Sequence, residues 1–265
     1  MPELAEVEYY RKIWNPGLRQ KILRVHVHPT ARVYRGEPVE AFARALEGTQ
    51  FLDSFTHGKN MLFSFSRGIW IGGHLGMTGE MIVSDASHAP AKHDHLVLFQ
   101  KERALVFRDP RMFGRLRIHE GKTPPAWWEE LPPGVLTDGF TAARVTEALT
   151  RHGKSPMKAL LLDQSWFPGI GNWMADEILW RLKWHPARLA GQVPKRSIAP
   201  LRQTIQQVSQ QAMDTIGQTW ADPPDTWLFN HRWKDGGHCP RCRTPLIRED
   251  LRGRTCCWCP KCQKA

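Results

Sequence analysis

The first residues of the chain combine a candidate nucleophile with a candidate acid/base. Removal of Met1 would leave Pro2 with a free secondary amine. An α-amino group titrates near pH ~8, so part of it is unprotonated at neutral pH and could attack a sugar aldehyde carbon to form an iminium. The carboxyl group of Glu3 could transfer protons to and from that sugar. Since many chains begin with Met-Pro, an ordinary start before a helix is the competing interpretation.

The cysteines form a second candidate site, near the C-terminus. Two Cys-x-x-Cys knuckles lie sixteen residues apart, and their cysteines are Cys239, Cys242, Cys259 and Cys262. This spacing is typical of a structural zinc ribbon, in which four thiolates hold one tetrahedral Zn²⁺. Cys256 or Cys257 could in principle replace Cys259, but the repeated Cys-Pro-x-Cys pattern favours the outer four. Clustered cysteines indicate metal ligands in a reducing compartment rather than a disulfide framework.

A glycine-rich segment, Phe167-Pro-Gly-Ile-Gly-Asn172, separates two predicted helices. Its glycines would let backbone N–H groups approach an anion, and Asn172 would cap the next helix, whose N-terminus attracts phosphate. A tight helix–helix turn is the alternative. Lys154 and Lys158 flank the preceding helix, where they could follow a nucleic-acid backbone or form a solvated basic face.

The charge balance favours a polyanionic partner. The chain has 37 basic and 26 acidic residues, a net charge of +11 and a pI near 9.7. Nucleic acid is the first expectation and an anionic membrane surface the second. No apolar run approaches the ~18 residues of a membrane-spanning helix, and the N-terminus lacks the apolar region of a signal peptide. We therefore expect a soluble, cytoplasmic protein without a membrane-spanning segment.

The elements that would position these residues change character along the chain. A short amphipathic helix is predicted after Pro2, ending at Pro16-Gly17. Many short strands with glycine-rich turns then favour a sandwich or barrel, with a helix from Pro38 to Glu47 between them. The predicted strands are Ile22–Val27, Gln50–Phe55, Met61–Phe65, Ile69–Gly72, Met81–Val83, His95–Phe99, Leu105–Arg108 and Arg115–Ile118.

The second half of the chain has helical periodicity. The predicted helices are Thr141–His152, Pro156–Asp163, Asn172–Leu182 and Ser197–Ile216, the last with Ser197 as its N-cap. A segment rich in proline and glycine precedes them and is interpreted as a linker. The predicted divisions are therefore a catalytic β-domain (1–120), a linker (121–139), a helical domain (140–222) and a zinc-ribbon hairpin (223–265).

Several separated motifs together resemble one known family. They are Pro-Glu-Leu-Ala-Glu-Val-Glu at positions 2–8, Gly58-Lys59, His74-Leu-Gly-Met77-Thr-Gly, Lys92-His93-Asp94-His95, Asp109-Pro-Arg111-Met-Phe113-Gly, Lys158-Ala-Leu-Leu-Leu-Asp-Gln, Gly169-Ile-Gly-Asn172-Trp-Met-Ala-Asp-Glu and His185-Pro186. With the cysteine ribbon, these motifs resemble the formamidopyrimidine-DNA glycosylase family, part of the Fpg/Nei group of bifunctional base-excision enzymes. The resemblance covers essentially the whole chain.

The resemblance implies a role for each candidate residue. Pro2 would be the nucleophile on C1′ of a damaged nucleotide and Glu3 the acid/base that helps open its sugar. Lys59 would assist later steps and contact phosphate, with an exposed lysine at a strand end as the alternative, and Arg254 would act near phosphate during elimination. The residues implied to fill the gap left in the duplex are Met77, Arg111 and Phe113, with core packing as the alternative for Met77 and Phe113. Those implied to hold the DNA backbone are His93, Lys158 and Asn172, with Lys154 as a neighbouring candidate.

The resemblance also implies an architecture and an activity. The expected fold is α+β and multidomain: an N-terminal β-sandwich with flanking helices, a helical domain with a helix–two-turn–helix motif, and a C-terminal zinc ribbon. The expected protein is a monomeric glycosylase and AP lyase of base excision repair, with one structural Zn²⁺. Through a proline Schiff base and β,δ-elimination, it would process double-stranded DNA that contains oxidised bases or abasic sites.

Departures from the family pattern leave alternatives open. Ala5 replaces a common proline, a change expected to affect local stiffness rather than chemistry. The region between Ile216 and Cys239 is shorter than in typical members, where it includes a loop over a flipped 8-oxoguanine. Preference for 8-oxoguanine is therefore in doubt, while formamidopyrimidines and oxidised pyrimidines remain open. The alternatives are a Nei-like glycosylase for oxidised pyrimidines, a non-catalytic damaged-DNA-binding module and an RNA-binding ribbon protein.

Overall fold

A computed structural model describes residues 1–264, so Ala265, the last residue of the predicted ribbon segment, lies outside the described residues. The chain divides into two compact units. The sandwich unit comprises Met1–Pro2 and Glu6–Leu131, and the helical unit comprises Glu3–Ala5 together with the chain from Pro132 onward. The predicted domain boundaries stay predictions.

Within residues 1–264, eight strands of the sandwich unit form two antiparallel sheets. They are β1 (Arg24–Val27), β2 (Phe51–His57), β3 (Asn60–Phe65), β4 (Ile69–His74), β5 (Glu80–Asp85), β6 (Asp94–Phe99), β7 (Arg103–Arg108) and β8 (Arg115–Glu120). The strand orders are β1-β6-β7-β5 and β2-β3-β4-β8. Apolar side chains from both sheets, such as Phe63 and Phe107, share one buried core. The unit is therefore the predicted β-sandwich, and its strands overlap the segments predicted from the sequence.

Helices flank the sandwich. They are α1 (Leu4–Ile13), α2 (Val39–Leu46) and α3 (Ala126–Glu129). Helix α3 lies inside the segment that the sequence analysis interprets as a linker, and its Trp127 packs on the face of β4. A β-carbon on Gly72 would come within 3.0 Å of the Trp127 ring. The aromatic side chain thus requires a glycine in the middle of this strand.

The helical unit has its own core. Its helices are α4 (Ala142–Arg151), α5 (Met157–Leu161), α6 (Asn172–Leu182), α7 (Ile198–Asp214) and α8 (Ile216–Thr219), and its hairpin strands are β9 (Ile247–Asp250) and β10 (Thr255–Trp258). The buried face of α7 is Leu201, Ile205, Val208 and Ala212, at the helical spacing that the sequence shows. Most residues of α6 are buried, so this helix is central to the unit.

The starts of α4 and α7 are capped differently. Thr141, at the start of α4, accepts a hydrogen bond from the Arg144 N–H, as an N-cap threonine should. Ser197, the predicted N-cap of α7, has helical dihedral angles and makes no side-chain capping bond. A 3-10 turn at Lys195–Ser197 precedes α7 and already places Ser197 in a helical conformation.

The sandwich, the helices and the cysteine-bearing hairpin together confirm the predicted fold class. Among residues 1–264, none of the helices combines the length and the hydropathy that crossing a membrane requires.

The packing of Trp127 on β4 can be tested with Gly72→Ala. The added methyl group would overlap the Trp127 ring, so we expect the free energy of unfolding to fall by about 1–3 kcal/mol. Urea denaturation followed by tryptophan fluorescence would measure the loss. Gly153→Ala is the matched control, because a β-carbon there meets its nearest neighbour at 3.6 Å. Equal stability of the two variants would contradict the packing argument.

Candidate active site and nucleic-acid interface

Glu3 is held by the first turn of α6. Its carboxylate is buried and accepts hydrogen bonds from the backbone N–H groups of Trp173 (2.9 Å) and Met174 (3.1 Å). The Leu4 N–H donates to the Gly169 carbonyl at 3.0 Å. The first N–H groups of a helix lack intrahelical partners and carry its positive end, so they stabilise negative charge on this carboxylate. The candidate acid/base is thus an anchored anion.

The glycine-rich segment accommodates this carboxylate. A β-carbon on Gly171 would lie 2.5 Å from Glu3 Oε1, so only glycine leaves the space that the carboxylate occupies. The anion at this helix N-terminus is therefore a side chain of the protein itself. The predicted cap by Asn172 is wrong: Gly171 is the N-cap residue, and Asn172 is already the first residue of α6. The half-buried Asn172 leaves its Oδ1 atom without a hydrogen-bond partner in the described chain.

Pro2 and Lys59 both belong to the sandwich unit. Pro2 is half-buried and immediately precedes the anchored glutamate. Lys59 lies in the two-residue turn between β2 and β3, and only 8% of it is exposed. The alternative for this lysine, an exposed cation at a strand end, is therefore wrong.

His74 is a functional candidate to which the sequence analysis assigns no role. It ends β4 opposite Asn60, next to Lys59. Burial, followed by the charges of Lys59 and Arg117, lowers the pKa of His74. Its Nδ1 atom accepts the Gly76 N–H at 3.0 Å, which requires an unprotonated nitrogen there. A neutral imidazole in a basic environment therefore stabilises the turn that carries Met77. Only the position of His74 inside a quoted motif could have indicated this role.

The residues implied to fill a gap in DNA lie on two exposed turns of the sandwich unit. Met77 is 41% exposed in the turn between β4 and β5, and Phe113 is 46% exposed in the turn between β7 and β8. Core packing, the alternative for both, is wrong. The Arg111 guanidinium lies 4.7 Å from the centre of the Phe113 ring. The structure therefore brings Arg111 and Phe113 together as an exposed pair of a cation and an aromatic ring.

A basic groove of about 280 Å³ lies beside these turns. Its lining includes Arg35, Arg115, Arg117 and Trp127. A concave surface with three guanidinium groups suits phosphate, and the aromatic wall adds stacking area.

Three other residues predicted to contact DNA differ in exposure. His93 is half-buried, while Lys154 and Arg254 are exposed. Arg254 lies at the tip of the hairpin formed by β9 and β10.

Lys158 has a different environment from the one that the sequence predicts. It is fully buried, and its Nζ atom donates to the Asn172 carbonyl (2.6 Å) and to Asp176 Oδ1 (2.5 Å). Arg232 binds the other oxygen of Asp176 at 2.5 Å, and the Cys257 N–H donates to the same oxygen at 3.2 Å. This burial corrects the predicted backbone contact: α5 directs Lys158 into the unit, where it pairs with a buried carboxylate.

The four outer cysteines converge. They are Cys239, Cys242, Cys259 and Cys262, and their sulfur atoms all lie within 4.8 Å of one another. Individual separations include 3.4 Å for Cys242–Cys259 and 4.0 Å for Cys239–Cys262. A tetrahedral ion with ~2.3 Å metal–sulfur bonds requires sulfur atoms about 3.8 Å apart. The residues therefore fit a four-thiolate metal site.

The two remaining cysteines lie outside this cluster. Cys256 directs its sulfur to Asp176 Oδ1 at 3.5 Å, and Cys257 is buried beside it. Burial and the Asp176 carboxylate raise the pKa of Cys256, which favours its neutral thiol. The structure thus agrees with the choice of the outer four over Cys256 or Cys257.

Comparison with known proteins extends over both units. Residues 1–116 match the family model described as the formamidopyrimidine-DNA glycosylase N-terminal domain, and residues 131–222 match its H2TH domain. The formamidopyrimidine-DNA glycosylase of Roseiflexus sp. is 33% identical over 274 residues, with 100% of both chains covered. That of Thermus thermophilus is 31% identical over 280 residues, covering 99% of this chain and 98% of the relative.

Solved structures agree with these matches. Lactococcus lactis Fpg (MutM), in a complex with DNA containing an oxidised pyrimidine, has a TM-score of 0.88 and 26% identity, with 100% of both chains covered. A mutant of the same protein with DNA containing Fapy-dG has a TM-score of 0.89 and 25% identity, again over 100% of both chains. The fold and the matched domains define a DNA-repair glycosylase. The chain belongs to the formamidopyrimidine-DNA glycosylase family, as its motifs predict.

The choice of metal ligands can be tested with two cysteine variants. Cys259→Ser removes one of four convergent sulfur atoms, so we expect loss of the bound metal and a lower melting temperature, because metal binding and folding of a small subdomain are linked. Cys256→Ser should keep one metal per chain. Elemental analysis by mass spectrometry, with thermal unfolding, would measure both. Full metal occupancy in Cys259→Ser would overturn the assignment.

The buried role of Lys158 predicts a stability loss in Lys158→Met. This variant removes one of the two cations that bind Asp176 and leaves Arg232 in place. We therefore expect the free energy of unfolding to fall by roughly 2–3 kcal/mol, less than the ~3–5 kcal/mol expected for a fully unpaired buried charge. Lys154→Met, at an exposed position, should change stability by less than about 0.5 kcal/mol. Chemical denaturation would compare them. Similar stabilities would contradict the internal role of Lys158.

Proposed function

We propose that the chain is a bifunctional DNA glycosylase and AP lyase of base excision repair that uses the amine of Pro2 as its nucleophile. The observation that carries this proposal is the anchoring of Glu3 on the N-terminus of α6. Consecutive Cα atoms are ~3.8 Å apart, so an anchored Glu3 restricts the Pro2 amine to its immediate neighbourhood. Nucleophile and acid/base are thereby held together without any further contact.

The anchored anion suits a defined proton transfer. Attack of the Pro2 nitrogen on C1′ forms the N–C1′ bond while the bond from C1′ to the damaged base breaks, and the base leaves with the electron pair of that bond and takes a proton from water. The nitrogen then carries an extra proton, which the Glu3 carboxylate accepts. Glu3 passes this proton to the ring oxygen as the C1′–O4′ bond breaks, which leaves an open sugar joined to Pro2 as an iminium. A carboxylate that starts ionised is the form that this sequence needs.

The iminium explains the proposed lyase step. Its positive nitrogen withdraws electrons, so a proton is lost from C2′ and the 3′ phosphate leaves by β-elimination. Loss of the 5′ phosphate by δ-elimination follows. We propose that Lys59 and Arg254 contact phosphate during these steps. His93, Asn172 and Lys154 are proposed to bind the backbone, which would make affinity salt-dependent.

We propose that the four outer cysteines hold one Zn²⁺. A d¹⁰ ion bound by four thiolates has no open position, so it would act in folding rather than in chemistry. It would tie the two knuckles together at the base of the hairpin and thereby support Arg254 at the hairpin tip. All the residues proposed for the reaction belong to one chain, so we propose a monomer that acts on DNA in the bacterial cytoplasm.

We propose double-stranded DNA with formamidopyrimidines or oxidised pyrimidines as the substrate class, and abasic sites as a second one. The Lactococcus relatives in complexes with such DNA support this choice. The region before the ribbon supports a weaker activity on 8-oxoguanine, because it is short and partly used for packing. Trp227 there is buried and packs near Trp173, whereas Trp220 and Trp233 are 44% and 51% exposed.

Borohydride trapping would test the nucleophile. The wild-type protein, with removal of Met1 confirmed by mass spectrometry, should form a covalent adduct at Pro2 with a duplex that carries an abasic site or a formamidopyrimidine. Pro2→Gly should lower base excision and trapping by about 100-fold or more, because it replaces the secondary amine that forms the charged iminium. Its affinity for the same duplex should stay near that of the wild type. Pro29→Gly, at an exposed loop position, is the control for the substitution itself.

Two results would contradict the proposal. Equal trapping by Pro2→Gly and wild type, with the adduct mapped to a residue other than position 2 in both, would move the nucleophile to another amine. Absence of any wild-type adduct with the abasic duplex, in protein that binds DNA and retains its metal, would favour a non-catalytic damaged-DNA-binding module.

A further inference from the structure

A buried carboxylate joins the two exposed turns that carry Met77 and Phe113. Asp109 has no exposed surface. Its Oδ1 atom accepts hydrogen bonds from the Thr78 hydroxyl (2.6 Å) and the Arg111 N–H (3.2 Å), and its Oδ2 atom accepts the Gly114 N–H (2.6 Å). Thr78 belongs to one turn, and the two N–H donors belong to the other. One carboxylate thus determines the distance between the turns.

The backbones of the two turns also touch. Gly76 has a φ of +62°, and a β-carbon there would lie 2.5 Å from the Gly114 nitrogen. A β-carbon on Gly114 would lie 2.9 Å from the His74 carbonyl oxygen and 3.0 Å from Asp109 Oδ2. Glycine at these two positions therefore allows a contact that any other residue would prevent. The turns form one body rather than two independent loops.

The carbonyl side of the second turn has a partner of its own. Nη2 of Arg35 lies 3.3 Å from the Met112 oxygen and 3.1 Å from the Gly114 oxygen. Met112 has a φ of +54°, a conformation that a non-glycine residue adopts only when its surroundings require it. Amide groups of this turn face Asp109, and carbonyl groups face Arg35. Both sides of the turn are therefore constrained.

Rigid turns would lower the free-energy cost of inserting their exposed side chains into a duplex. Side chains that enter a duplex must separate stacked bases, which costs a few kcal/mol per step. A mobile turn would add the entropy of ordering to that cost, and a preorganised turn avoids it. Burying a carboxylate costs free energy unless donors surround it, so a buried carboxylate is a poor way to gain stability alone. Its presence here indicates that the two turns must be held in a fixed arrangement.

We infer that Asp109 is a positioning residue that locks Met77, Arg111 and Phe113 into one rigid wedge, and that this wedge sets the rate of base extrusion. The inference rests on the proposed glycosylase function. Asp109 and Thr78 would act through the turns, without contacting the damaged base. If the hydrogen bonds of Asp109 to the two turns, which we call the Asp109 lock, are weakened, removal of a stacked base should slow. Cleavage of a site from which the base is already missing should not.

Thr78→Val is the sharpest test, because it keeps the side-chain shape and removes only the hydroxyl that links the turns. Single-turnover excision from a duplex with an oxidised pyrimidine should slow by about tenfold. Cleavage of an abasic duplex should stay within about twofold of wild type, since no base has to be extruded. Fluorescence of a 2-aminopurine placed beside the lesion should rise more slowly, in step with excision. Thr78→Ser, which keeps the hydroxyl, should restore the wild-type excision rate.

Two further variants keep the test independent of folding. Asp109→Asn retains shape but loses an acceptor, so it should show the same selective loss of excision. Thr56→Val removes a comparable hydrogen bond from a half-buried threonine to a carboxylate, Glu8 Oε2 at 2.7 Å, in the same unit but away from the turns. It should cost similar stability and leave the ratio of excision to abasic cleavage unchanged. Melting temperatures of all variants would be measured alongside.

The possible results distinguish failure of the Asp109 lock from failure of the proposed glycosylase function. Selective loss of excision in Thr78→Val and Asp109→Asn, with rescue in Thr78→Ser, supports the lock. Unchanged excision in Thr78→Val, or an equal fall in excision and abasic cleavage, overturns it while wild-type activity upholds the proposed function. Absence of excision by the wild type on every lesion duplex overturns the proposed function and this inference together.

Discussion

A carboxylate buried away from water is stable only when hydrogen-bond donors or cations surround it. This constraint organises both units of the protein. Glu3 is surrounded by backbone N–H groups of α6, Asp109 by donors from two turns, and Asp176 by two cations and strand β10. Each carboxylate thereby joins segments that are distant in the chain. Pro2 directly precedes Glu3, and the turns that carry Met77, Arg111 and Phe113 meet at Asp109.

The contacts of Glu3 limit the mobility of the chain end that carries the proposed nucleophile. Chain ends are usually mobile unless a contact ties them down, and a mobile amine would lose the advantage of orientation. Helix α6 provides the contact through its own unsatisfied N–H groups, so the anchor uses donors that every helix has at its start. The same helix binds Lys158 and Arg232 through Asp176 and packs Trp180 against Cys239 of the metal cluster. One helix thus connects the acid/base, the helical core and the ribbon.

Much of the architecture could be predicted because it depends on local patterns. Short apolar segments separated by glycine-rich turns placed the strands near their observed bounds, and the face of α7 followed from helical spacing. The cysteine cluster could be predicted as well, since two knuckles of fixed spacing can close around one ion with little help from the rest of the chain. The types of Pro2 and Glu3 suggested a nucleophile beside an acid/base, and the family resemblance added their target, C1′ of a damaged nucleotide.

The errors share a physical cause. Lys158 has the sequence context of an exposed lysine, and Asn172 that of a helix cap, yet partners remote in the chain determine the contacts around both. Asp176 replaces solvent around Lys158, and Glu3 accepts the Met174 N–H that a capping side chain at position 172 would have bound. Neither partner is detectable from spacing along the chain, because the interaction forms only after the segments have packed.

The sequence by itself determined the classes of element, the four convergent cysteines and the family, because each depends on residues close together in the chain or on whole motifs. Tertiary structure alone decided which charges are buried, which side chains remain exposed and which turns touch. Those outcomes depend on the cost of removing charged groups from water, and that cost is set by neighbours that only the folded chain brings together.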